Sequence, residues 1–183
     1  MLPLRVIVAA LALGIAELTE AQLALRGVTT PVAAGQLKGI VSVVRYAVAR
    51  PDRREIAYMF LAEGHPSDNL PEEVQVRGPK GEPVHLTAQQ GADCTLSAVE
   101  VVTTPAGRGS VVAAVRRFSP VLSENDYSAP GPMDIQLYRP IPGGEPGQSS
   151  VVLQAVGAPV GTRSLCGAAE VRGAMLLAAR RGR

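Results

Sequence analysis

Residues 95–118, TLSAVEVVTTPAGRGSVVAAVRRF, decide the reading of the fold. Thr95 to Thr103 and Ser110 to Phe118 are valine-rich runs, and TPAGRG between them supplies the proline and glycines of a turn. Branched side chains such as valine lose little freedom in a pleated strand and pack well on its faces. No helical period is sustained through this stretch. It reads as one strand that turns and returns as a second.

The same pattern extends in both directions. Upstream, Gly39–Ala49 (GIVSVVRYAVA) reads as a long strand, and RPDRRE turns it into Ile56–Ala62 (IAYMFLA). The second of these is apolar on both faces, as a central strand is. Glu73–Arg77 and Val84–Ala88 alternate, with Val74, Val76, Val84 and Leu86 turned inward and His85 and Thr87 outward. Downstream, Met133–Arg139 is a strand with Ile135 and Leu137 inward, and Val151–Val156 is the last of eight. Residues 22–36 form a loosely held leading segment with room for a short edge strand. Short strands with turn signals between them predict an all-β, single-domain antiparallel β-sandwich of about seven to eight strands. The varied connection lengths favour two packed sheets over a barrel. At the C-terminal end, Cys166–Arg181 predicts a short helix, because Val171, Met175 and Ala178 share a helical face and Arg180 and Arg181 suit the helix end. A final strand through Val171–Leu177 competes with it.

The N-terminal end has a different character. Arg5, the apolar run Val6–Ala16 and the polar stretch up to Ala21 follow the order of a secretory signal peptide. The apolar run is well short of the roughly 20 residues of a spanning helix. The expectation is a signal helix over residues 1–21, cleaved after Ala21 or, as second choice, after Ala16, and a β-sandwich domain over 22–183. Such a chain reaches the periplasm or the exterior and is not an integral membrane protein after cleavage. The abundance of Ala, Arg, Gly and Pro suits a GC-rich bacterial genome.

Export gives the two cysteines a meaning. In an oxidising space, Cys94 and Cys166 most simply pair with each other. A bond across about 72 residues is worth roughly 4 kcal/mol in the loop-entropy description. The alternatives are two free buried thiols or a reactive pair. The cysteines lack the CxxC spacing of a thioredoxin-like redox motif.

The rest of the chain excludes more than it assigns. A formal charge of +2 is too mild to indicate nucleic acid. There is no G-x-S-x-G motif, Walker loop or dinucleotide fingerprint, and no cofactor or metal is expected. A hydrolase or metal-assisted site would have to be built around His65 or His85, the only two histidines. His65 reads as part of the turn GHPSDN, and His85 as a surface residue on the polar side of a strand. Aromatic residues are 3% of the chain, so the exposed-ring platforms of sugar-binding proteins are scarce. Tyr127, in the long loop 119–132, is the best exposed aromatic candidate. Arg53 and Arg54 are the basic candidates for partner contact. The function expected is that of an exported, non-enzymatic binding protein. It would meet a protein partner or an envelope component through sheet edges and the loops 63–72 and 119–132. A small-ligand carrier with an apolar cavity inside a barrel is a further reading.

Overall fold

A computed structural model describes residues 28–32, 37, 39–40, 42–48, 54–63, 70–103, 109–118, 128–144 and 149–182. The expected signal segment 1–21, Arg53, His65 and Tyr127 lie outside the described residues.

The strands are β1 (Val28–Val32), β2 (Ser42–Val48), β3 (Arg54–Ala62), β4 (Glu72–Glu73), β5 (Gln75–Arg77), β6 (Leu86–Gln90), β7 (Thr95–Thr103), β8 (Gly109–Arg116), β9 (Gly131–Pro142) and β10 (Val151–Leu165). One helix, α1 (Ala168–Arg181), follows them. The fold is thus mostly β with a short C-terminal helix. The expectation of two packed antiparallel sheets is corrected: the strands form one curled, mixed sheet in the order β1-β2-β3-β6-β7-β8-β9-β10-β5, with β4 on β3. Neighbours are antiparallel except β10 and β5, which run parallel.

The curl is held by the segment Glu72–Arg77. Its first half pairs with β3, through Leu61↔Glu73 and Ala62↔Glu72. Its second half pairs with the far side of the sheet, through Val152↔Gln75 and Leu153↔Val76. The alternation that suggests one strand over Glu73–Arg77 is therefore shared between two partners. Side chains reinforce the bridge. The Ser150 N–H donates to the Glu72 carboxylate at 3.0 Å, and Gln154 Nε2 donates to the Gly78 carbonyl at 2.8 Å.

Each face of the curled sheet has its own core. On the inner face Phe60, Leu86, Val99, Val111, Tyr138 and Leu153 pack together, and Leu37 and Ile40 join them from the turn before β2. That turn passes so close to β8 that a Cβ on Gly109 would overlap the Leu37 side chain. On the outer face Val112, Ala114, Met133, Ile135 and Leu137 pack against Val171, Met175 and Ala179 of α1. Ala, Leu, Met and Arg dominate α1, and these are strong helix formers. The Glu170 carboxylate accepts the N–H groups of Cys166 and Gly167, at 3.2 and 3.3 Å, and so satisfies donors at the helix start. Arg172 Nε meets Glu100 of β7 at 2.5 Å and ties the exposed side of α1 to the sheet.

Cys94, immediately before β7, and Cys166, between the end of β10 and the start of α1, form a disulfide across a separation of 72 residues. The adjacent Thr95 N–H donates to the Cys166 carbonyl at 2.8 Å. The start of the helix is thereby fixed, covalently and by a hydrogen bond, to the start of a central strand.

Two stability measurements follow from this arrangement. Replacing both cysteines by alanine is expected to lower unfolding stability by about 4 kcal/mol in urea titrations, because the unfolded chain loses its cross-link. Burial, and then the negative charge of Glu82, push the Tyr138 phenol up from its ordinary value of 10.0. The folded state therefore favours neutral Tyr138, and that contribution is present below pH 10 and is lost as pH rises through the folded value. The Tyr138→Phe variant is expected to lose less stability than the parent over that alkaline range.

A candidate binding groove beside the helix

An open apolar groove among the described residues arises from an irregularity in β10. Along β9, Leu137 and Ile135 are two residues apart, whereas their partners Val156 and Val160 are four apart. The two surplus residues force β10 into an arch. Gly157 sits in the arch at φ +67°, a backbone region that glycine enters without steric penalty. A second irregularity follows between Gly161 and Ser164.

Side chains hold the arch in place. Gln136 is buried, and its Nε2 donates to the carbonyls of Val156 at 3.1 Å and Gly157 at 3.4 Å. At the second irregularity the Thr162 hydroxyl accepts the Met133 N–H at 3.1 Å. Side-chain hydrogen bonds thus stand where the register of the ladder shifts.

The arch stands away from α1 and leaves a groove of about 550 Å³ between them. Ile135 and Leu137 form its floor, Val156, Val160 and Leu165 its strand wall, and Ala174, Leu177 and Ala178 its helix wall. Val160 and Leu177, large aliphatic side chains on its strand and helix walls, are 49% and 53% exposed. Two arginines line the groove, Arg163 from β10 and Arg181 from the end of α1. No carboxylate is among its described lining residues. The volume falls within the range of small-ligand sites, which are mostly apolar with few polar groups. The inner face of the sheet, where a carrier's cavity was expected, is filled by the side chains of Phe60, Tyr138 and their neighbours. The open apolar space is on the outer face instead.

The residues singled out in the sequence fall elsewhere. Arg54 is exposed at the start of β3, opposite Gln90. Arg53, Tyr127 and His65 are outside the described residues. His85 is exposed, beside a cleft of about 120 Å³ shared with Tyr58, Glu73 and Pro83. Among the described residues no group of three His, Cys, Asp or Glu is arranged to hold a metal ion. Of the loop 119–132, the described end is held down. The Ser128 carbonyl lies 3.2 Å from Cys94 Sγ, and the Ala129 carbonyl accepts from the buried guanidinium of Arg116.

Of the groove residues, Arg181 reads in the sequence as part of a basic group at the helix end, whereas Val160, Arg163 and Leu177 do not stand out. Gly157, Pro159 and Gly161 break the alternating pattern, so the strand reads as ending at Val156, although it continues to Leu165. Val160 and Thr162, two branched residues among these breakers, are the signal that the strand resumes.

No family description and no curated protein matches the chain. Among solved structures it is similar to the crystal structure of CarG, with a TM-score of 0.53 and 16% identity. The likeness covers 80% of this chain and 98% of CarG. At that identity it is a likeness of fold.

Gln136→Leu removes the donor that holds the arch. It is expected to cost about 0.5–1.5 kcal/mol, the net worth of a hydrogen bond to a part-buried carbonyl. Amide exchange should accelerate at residues 156–161 more than elsewhere, as read by hydrogen–deuterium exchange mass spectrometry.

Proposed function

We propose that the chain is an exported bacterial protein of non-enzymatic function that binds an envelope component or a partner protein on the face built by α1 and the arched half of β10. The observation that carries this reading is the groove itself. Large aliphatic side chains are left exposed on both of its walls, yet the walls are held by the hydrogen bonds of the buried Gln136 side chain and by the helix core. Exposed apolar surface on a rigid frame is what a binding face requires.

The disulfide supports the location. A bond between Cys94 and Cys166 is compatible with an oxidising compartment, where such bonds form and persist. No helix among the described residues is long and apolar enough to cross a membrane. The N-terminal order of charge, apolar run and small residues supplies the export route in this reading.

The test has two arms. The chain, expressed from its own N-terminus in a bacterial host, is recovered from periplasm and medium and weighed by intact mass spectrometry with and without reductant. The expected product begins at Gln22 and shows free thiols only after reduction. The parent and the Val160→Asp and Leu177→Asp variants are then isolated from envelope extracts, and co-purifying protein and lipid are identified. Both variants are expected to lose the same component. A cytosolic product with free thiols would remove the export half of the reading. A component retained equally by both variants would remove the groove.

A further inference from the structure

From the chemistry of its lining we infer that the groove between α1 and β10 takes a single-chain anionic amphiphile, an aliphatic tail ending in a carboxylate; this rests on reading the groove as the protein's binding face. The tail is specified by the aliphatic floor and the wall residues Val160 and Leu177. The charge is specified by the two guanidiniums and the lack of any carboxylate among the described lining residues. An apolar site of this kind desolvates a ligand's tail, while an arginine at its margin stays in water and offers a forked donor to a carboxylate.

The arginines stand toward opposite ends. Gly182, next to Arg181, lies against Leu137, the register partner of Val156, so the C-terminal end of α1 meets the groove at that part of the floor. Arg163 is seven residues further along β10. A linear ligand lying along the floor therefore finds a cation at either end for its head.

The irregular backbone of β10 argues against the main alternative, a partner's strand added to its margin. Beyond Gln154, where β5 stops pairing, the free margin is interrupted by the arch, by Pro159, which has no N–H to donate, and by the second register shift. An added strand would meet a broken ladder. A flexible chain held by apolar contact and one charge pair needs no ladder.

Isothermal titration with dodecanoate, below its micelle concentration and at neutral pH, tests the assignment on the full chain isolated with its disulfide formed. One dodecanoate per chain is expected to bind. Leu177→Asp, and separately the double variant Arg163→Glu/Arg181→Glu, should each weaken binding by about tenfold or more. Dodecyltrimethylammonium, with the same tail and the opposite head, should bind the parent at least about tenfold more weakly. Thermal melts accompany each variant. Where Leu177→Asp melts early, Val160→Asp on the opposite wall serves in its place. Absence of saturable dodecanoate binding overturns the proposal, as does equal binding by the groove variants or by the cationic amphiphile. If those results come with loss of another envelope component from Val160→Asp and Leu177→Asp, the ligand class is wrong and the groove remains the binding face. If the variants lose nothing, both readings fall.

Discussion

Strand β8 carries apolar side chains on both faces, and neither face can be left to water. Val111 and Ala113 point to one side, Val112 and Ala114 to the other, and all four are buried. Much of the architecture answers that demand. On the inner side the sheet covers itself by curling, so that Phe60, Leu153 and Tyr138 meet across it. On the outer side the described residues form no second sheet, and Val171, Met175 and Ala179 of the helix provide the cover. A side chain the size of methionine or valine, moved from water to a packed interior, contributes about 1.5–3 kcal/mol. The helix therefore belongs to the fold and is more than an appendage after the last strand.

This also explains how far the sequence could be read. Thr95–Thr103 is a strand in the structure over the same residues, and Ile56–Ala62 lies within β3, flanked by β2 and β6 as its apolar faces suggest. Alternation and branching report which residues share a face and whether a segment is extended. They do not report which faces meet. Ile135 and Leu137 read as inward, and they are buried, but against a helix on the outer face. One sheet that curls and two sheets that stack present the same local pattern; the unbroken pairing from β1 to β10 and the double pairing of Glu72–Arg77 distinguish them. The parallel contact between β5 and β10 joins residues 77 apart, a distance at which no local signal operates.

The groove was less legible for a related reason. Its walls come from the part of β10 that departs from regular pleating, and breaker residues there look like the end of a strand. Gly157 and Pro159 do mark something, a strand that leaves its register and regains it. The polar residue that makes this possible, Gln136, sits among apolar neighbours in β9 and reads in the sequence as one more alternating position. Its role depends on carbonyls 20 and 21 residues away.

The cysteine bridge reaches further than the stability it adds. It lies where α1 begins, and α1 is one of the two walls that carry the exposed apolar side chains. Without that bond, the wall is seated by the docking of Val171, Met175 and Ala179 and by the Arg172–Glu100 contact. Oxidation supplies the hinge pin. Closing the bond between the two sulfurs therefore anchors the foot of one groove wall to the sheet.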